Sequence, residues 1–441
     1  MNALFDILIN VANLILGAVV GYYFNDWKER RREESKKKKV EDENIRLYDT
    51  FKNEVDLVAT RGIVQIGHGT PYFEPAAMTT SVDNNMVCYY PIPETDGLKE
   101  ELASLGFAQD NQYKLDYIER YNCLSPKFPY KAKFDEAFRC FGDYAWDDKT
   151  KAEIAEIAVE AGKEFIRDLK EGKQRFNGSM LGVKEIVVNS DPRHDERPTA
   201  NVKYYISDYF TFRVFAKFYL KHIDEFRALH SEPGAINLKM LQQMSMPFLS
   251  SFGVAAVIIG TASDIHNCEE KLCATDTIIS GQRGGNVIVD RNRIHFGMNE
   301  AFSYSMDSEH NNTPTYDHCV LRGIREELLG FKLDTEKGKK YEQFIGTPYF
   351  LDFIFDSNKC EMGVTAYIRL KFSLNEEEGF TNQSLNDLYN EAKDRTLETE
   401  KLLFTPMSDL DIFIREHGQD MSAGYFVALN NLKRRLNVGL I

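Results

Sequence analysis

The sequence predicts an α/β chain in four parts: a single N-terminal transmembrane helix, a basic stalk, an α+β segment, and a larger C-terminal α/β unit. Three observations carry that expectation. From about residue 246 onward, apolar runs of strand length alternate with amphipathic helical stretches. In the middle, an aromatic and β-rich stretch runs into a helix. At the start, a long apolar segment is followed by a dense basic run.

Composition sets the outer bounds. The chain has 441 residues, enough for two or three domains and a sizeable core. It is 43% hydrophobic and 28% charged, the balance of an ordinary globular protein. A net charge of −14 argues against broad electrostatic binding to nucleic acid, so no nucleic-acid partner is expected. The seven cysteines (Cys88, Cys123, Cys140, Cys268, Cys273, Cys319 and Cys360) are scattered and odd in number. That fits reduced thiols better than a disulfide framework. His266, Cys268 and Cys273 lie close together but lack the paired spacing of a zinc site.

Taken in order, Ala3 to Phe24 is long enough and apolar enough to cross a bilayer, which takes about 20 residues at a rise of about 1.5 Å each. Asp6, Asn10 and Asn13 recur at helical spacing and would form a polar stripe facing a neighbour. Trp27 and the run from Lys28 through Arg30, Arg31, Arg32 and Lys36 to Lys39 then place the following residues in the cytoplasm and the N-terminus outside. The basic run also suits anionic lipid. Gly17-Ala-Val-Val-Gly21 would let two such helices approach, giving a homo-oligomer, or be incidental. A buried or interfacial helix is the alternative for the whole segment. The expected boundaries are 1–25 for the anchor, 26–60 for a stalk helix, 61–245 for the α+β segment and 246–441 for the C-terminal unit.

Within 61–245, Ile63 to Phe73 reads as strand then turn, with His68 between two glycines. That histidine is a site candidate or a turn residue. Met86 to Ile92 reads as a short strand, and Lys149 to Arg175 as a long amphipathic helix. Asn201 to Val214 begins as strand and becomes a helix carrying Phe215, Phe218, Tyr219, Ile223 and Phe226. Beside Arg213 and Lys217 these rings could stack a nucleobase; at helical spacing they are equally the rings of a core.

The C-terminal unit carries the chemistry. Phe252 to Ile259 reads as a buried strand, Thr277 to Arg293 as a hairpin segment, and Ile294 to Ser303 as a strand leading into a polar loop from Asp307 to Asp317. Cys319 to Phe331 follows as an amphipathic helix, with Gly330 as its stop. Thr347 to Phe355 and Gly363 to Phe372 read as strands. Gly281 to Asn286 could cradle phosphate or turn a hairpin.

Arg322-Gly-Ile-Arg-Glu326-Glu327-Leu-Leu-Gly330 resembles the tail of the Nudix box, Arg-Glu-(apolar)-x-Glu-Glu-x-Gly-(apolar), and the element order around it is similar to that of a Nudix domain over roughly 245–441. The resemblance implies an α/β/α sandwich with a mixed sheet and, over Glu391 to Met407, a late segment whose strand ends in Phe404-Thr405-Pro406 before the last helix. It also implies a nucleoside diphosphate-linked substrate, hydrolysed with Mg²⁺ or Mn²⁺. On the matching positions, Glu326 and Glu327 would be metal ligands and catalytic carboxylates, and Arg322 would orient them. The match departs in three places. Gly323 stands where the box has its first glutamate, one extra residue precedes Gly330, and the glycine-rich opening of the box is missing. Glu300 would replace the lost metal ligand, with Asp307 and Glu309 as further replacements and Glu391, Glu398 or Glu400 as a base. Each of these acids is otherwise a surface carboxylate, and the helix itself otherwise an ordinary amphipathic one. Two functions follow: a membrane-anchored hydrolase, or a weakened nucleotide-binding sensor that signals through its anchor or by oligomerisation. A protein-interaction scaffold is the third.

Overall fold

The computed structural model describes residues 63–65, 78–88, 90–107, 148–172, 177–189, 199–223, 248–265, 271–284, 292–308, 314–330, 336–356, 358–391 and 399–437. The anchor expected over Ala3 to Phe24, the basic stalk to residue 60, and His68, His266, Cys268, Glu309 and Glu398 lie outside the described residues. Among the described residues, no helix is long and apolar enough to cross a membrane.

The chain is a mixed α/β structure built on two sheets. The larger contains β1 (Ile63–Gln65), β5 (Phe252–Thr261), β6 (Thr277–Arg283), β7 (Ile294–His295), β8 (Met298–Ala301), β9 (Tyr349–Asp356), β10 (Glu361–Lys371) and β11 (Thr399–Pro406). Its order is β1-β9-β10-β5-β6-β11, with β7 beside β6 and β8 beside β5. β5 and β10 are parallel while the other pairs are antiparallel, so the sheet is mixed and does not close into a barrel.

The apolar run at Phe252 becomes this central strand because it has apolar residues for both faces. Every residue of β5 is buried. Val254, Ala256 and Ile258 enter one core, and Ala255, Val257 and Ile259 enter the other, as the two-residue period of a strand requires. The first core is closed by the helices that follow β8. These are α4 (Tyr316–Gly323), a wide helical turn (Ile324–Leu329), α5 (Glu336–Glu342) and α6 (Asn382–Glu391), which bring in Val320, Ile324, Leu328, Tyr341, Leu385 and Leu388. The second is closed by α7 (Leu410–His417) and α8 (Ala423–Asn437) through Leu410, Phe413, Leu429 and Leu432. The strand expected to end in Phe404-Thr-Pro is β11, and Pro406 is its last residue before a short helical turn and α7. Gly281 to Arg283 lies in β6, where Gly281 faces His295 of β7 across a hairpin.

The smaller sheet has the order β2-β4-β3, from β2 (Met78–Val87), β3 (Ser179–Asn189) and β4 (Thr199–Asp208). β2 runs parallel to β4, and β3 antiparallel to it. The strand expected over Met86 to Ile92 instead ends at Val87. Pro91 and Pro93 follow closely and cannot donate to a ladder. Three helices pack on this unit: α1 (Leu98–Ser104), α2 (Asp148–Lys170) and α3 (Tyr209–Lys221). Asp208 caps α3 by accepting from the amide of Thr211 at 2.8 Å, and its other oxygen accepts from Asn177 Nδ2 at 2.8 Å. Phe215, Phe218 and Tyr219 are buried core residues, Phe215 and Phe218 packing on the ring of Phe248 and Tyr219 on that of Phe355, while Lys217 pairs with Glu160 and Glu164 of α2. The aromatic stripe is therefore packing, not an open stacking platform.

The two sheets do not have separate cores. Phe252, Phe302 and Tyr316 of the C-terminal unit share one apolar cluster with Tyr204, Phe215 and Phe218 of the smaller unit. β1, from the segment numbered 61–245, is also an edge strand of the larger sheet.

Candidate functional site

α4 begins at Tyr316, three residues before the helix that the sequence predicts from Cys319, and then changes pitch. Thr315 caps it, its hydroxyl accepting from the amide of His318 at 3.3 Å. After Gly323 the backbone widens, and the amide of Gly330 donates to the carbonyl of Arg325, five residues back, at 2.8 Å. A wide turn of this kind absorbs one extra residue without breaking the helix. Gly330 ends it at φ +64°, a left-handed conformation that a side chain disfavours.

Arg322 is the hub of the site. Its Nε and Nη2 donate to the two oxygens of Asp307 at 2.8 and 3.1 Å. Nη1 donates to Glu300 Oε2 at 2.7 Å, and Nη2 also reaches the carbonyl of Ala301 at 2.9 Å. Glu326 Oε2 lies 3.9 Å from Nη1, one helical turn on. Burial opposes the charge on this guanidinium, but the charge of Glu300 and the hydrogen bonds to Asp307 outweigh it and hold the pKa above its ordinary range. Asp307 is fully buried and also accepts from the amide of Ser303 at 2.8 Å. Cys319 lies beside the hub, its sulfur 3.7 Å from Arg322 Nη2. Burial first, and then the charge of Asp307, push its thiol well up. A thiol so placed is a packing group and not a nucleophile.

Glu327 faces another way. Both its oxygens accept from the backbone amide of Asn299, at 3.1 and 3.3 Å. It thus ties the wide turn to β8. Gly323 explains how close the helix comes. A Cβ there would lie 2.6 Å from Met298 Cγ and 2.7 Å from Glu300 Cγ, so the helix rests directly on two β8 side chains. The space that a carboxylate would need at position 323 is filled.

The structure therefore brings Arg322, Glu300, Asp307 and Glu326 together around one guanidinium, and turns Glu327 to a backbone amide. Among the described residues, no group of three or more His, Cys, Asp or Glu side chains is arranged to hold a metal ion. Of the carboxylates expected as ligands, Glu300 accepts from Arg322, Glu326 lies 3.9 Å from the same guanidinium, and Glu327 accepts from the amide of Asn299. Of the acids considered as a base, Glu391 is exposed at the end of α6, which packs against the wide turn, and Glu400 is exposed on β11. Asp307 was expected as a replacement ligand and is instead the main partner of Arg322.

Residues that the sequence did not single out complete the site. Met298 and Asn299 matter through van der Waals contact and a backbone amide, which no residue pattern signals. Ser303 matters as a loop donor to Asp307, and the Ser303-x-x-x-Asp307 spacing is the one hint available. No protein-family model matches this chain, and no curated protein matches it in sequence.

Proposed function

We propose that the C-terminal unit is a Nudix-like fold that binds a nucleotide or nucleotide-linked small molecule as a sensor, with its box helix kept as support and its metal-assisted hydrolysis weakened. The anchor expected in 1–25 would hold this sensor at a membrane, single-pass and with its domains in the cytoplasm. It would signal through that anchor or by oligomerisation. The observation that carries the reading is at Gly323: its Cβ position is blocked by Met298 and Glu300 at 2.6 and 2.7 Å. The acids around it serve Arg322 and the amide of Asn299. The mixed sheet with helices on both faces, and the strand-loop-helix order from β8 through α4, support the Nudix-like part. The wide turn supports it too, because it accommodates the one residue by which this box exceeds the family pattern.

Hydrolysis is the second reading. It is favoured by Arg322 Nη1, which lies between Glu300 and Glu326 as an orienting arginine would.

One experiment separates the two. The full chain, in detergent or lipid, is heated with a panel of nucleoside diphosphate-linked compounds, with and without Mg²⁺ or Mn²⁺, and the supernatant is assayed for monophosphate. Stabilisation by a nucleotide without product, independent of metal, is the expected result. Monophosphate release abolished by Glu327→Gln would establish the hydrolase. No stabilisation by any member of the panel would leave a scaffold.

A further inference from the structure

The loop from Phe302 to Ser308 supplies Asp307 to Arg322, and it is held from outside the C-terminal unit. The amide of Leu181 on β3 donates to the carbonyl of Phe302 at 3.1 Å. Ser179, also on β3 and buried, has its hydroxyl 2.8 Å from that of Ser305 and 3.4 Å from that of Ser303, and it accepts from the amide of Ser305 at 3.4 Å. From β2, Thr80 Oγ1 donates to the carbonyl of Pro314 at 2.8 Å, just before α4 begins. From β4, the Tyr204 hydroxyl is hydrogen-bonded to that of Tyr316 in the first turn of α4. Around that pair the rings of Tyr204, Phe252, Phe302 and Tyr316 pack with centroids 5.1 to 6.4 Å apart.

Every strand of the smaller sheet thus contributes one contact or more to the loop or to the start of α4; β3 and β4 also reach the entry to β5, where the amide of Val183 donates to the carbonyl of Leu249 at 2.8 Å and the Tyr205 hydroxyl lies 3.3 Å from that of Ser250. Inside the loop the chain of bonds continues. The amide of Ser303 donates to Asp307, the amide of Thr315 donates to the carbonyl of Asp307 at 3.2 Å, and Asp307 holds Arg322.

We propose that the three-stranded sheet is a built-in brace for the box. Ser179 and Tyr204 are positioning residues that fix the Asp307 loop and the first turn of α4, and release of this contact loosens Arg322 and α4 as one piece. The brace gives the smaller unit a route to act on the box, since contiguous hydrogen-bonded and packed groups link the two. It stands whether or not a nucleotide binds.

Cys319 is the reporter. It is buried on α4 beside Arg322, whereas Cys360 is buried at the β9–β10 turn, away from the loop. The full chain and its Ser179→Ala and Tyr204→Phe variants are treated with a thiol reagent under native conditions, and labelling is read cysteine by cysteine by mass spectrometry. The brace predicts that Cys319 labels about tenfold faster in either variant, the change in an opening equilibrium expected when a buried hydrogen bond is lost, with Cys360 unchanged. An unchanged Cys319 overturns the proposal. So does an equal rise at both cysteines, because that is general destabilisation with no local brace. Should Ser179→Ala fail to fold, Tyr204→Phe and Thr80→Val, which remove one hydroxyl each and keep the bulk, give the same ratio.

Discussion

Removing the Arg322 guanidinium tests whether the box is a structural hub. In Arg322→Met the apolar stem is kept, so the loss is mainly electrostatic. Asp307, with no exposed surface, then loses bonds of 2.8 and 3.1 Å and keeps the amide of Ser303. Glu300 loses a 2.7 Å bond at a largely buried position. Breaking a buried pair by deleting one partner costs about 3–5 kcal/mol, because the remaining charge stays in a poor solvent. Asp307→Asn added to Arg322→Met removes that charge while its side-chain oxygen can still accept from Ser303. The double variant is therefore expected to be more stable than Arg322→Met by at least about 1 kcal/mol, a coupling within reach of a double-mutant cycle. Urea unfolding followed by far-UV circular dichroism measures both, provided the slopes stay equal. A loss below about 1 kcal/mol in Arg322→Met would mean the pair behaves as a solvated one. A double variant destabilised by the sum of its singles would mean the two groups are not coupled. Either result refutes the hub.

Four further outcomes follow from the same structure. Gly323→Ala gains helix propensity of about 1 kcal/mol but forces Met298 and Glu300 apart, an overpacking of about 1–3 kcal/mol, so a net loss of up to about 2 kcal/mol is expected in the same urea assay; a stabilised variant would show that the helix sits further from β8. Gly330→Ala places a side chain at φ +64° and is expected to lose about 1–2 kcal/mol, with a lower thermal midpoint as the readout. Asp208→Ala removes the α3 cap together with its bond to Asn177 and should cost about 2 kcal/mol, the upper end for a cap, by denaturant midpoint. For Glu153, burial alone would raise the carboxyl, but hydrogen bonds from Lys221 and His222 outweigh it and hold it below its ordinary value. A carboxyl lowered in this way contributes stability above the unfolded value of about 4.3 and loses it as pH falls through the lower folded value. Glu153→Gln should therefore cost less than about 1 kcal/mol at pH 7, and the gap to the parent should close below about pH 4 in thermal melts.

Much of the framework was legible because it depends on period and punctuation. β5 announced itself by the apolar run from Phe252 to Ile259, and the helix stop by Gly330. The Phe404-Thr-Pro406 ending came instead from the resemblance, and the structure does end β11 at Pro406. The end of β2 was less legible: Met78 to Asn85 is polar and weakly alternating, and it becomes a strand only because β4 offers it a parallel edge. The continuity of the two cores was not legible at all. It rests on Tyr204, Phe252, Phe302 and Tyr316 meeting across more than a hundred residues of chain, and no local pattern encodes which rings meet.

The candidate site divides along the same line. The sequence singles out Arg322, Glu326 and Glu327 by their resemblance to the Nudix box, which says nothing of what each side chain meets. Glu326, four residues on, lies 3.9 Å from Arg322, while Glu327, five residues on and so on another face, accepts from the amide of Asn299. Gly323 acts from the other side, letting α4 settle onto Met298 and Glu300 so that Glu300 comes within 2.7 Å of Arg322. The lack of a side chain at 323 lets the helix approach β8, and Glu327 binds the backbone of the strand it approaches. A glutamate placed at 323 would therefore not simply join these acids, since its stem would enter the space of Met298 and Glu300.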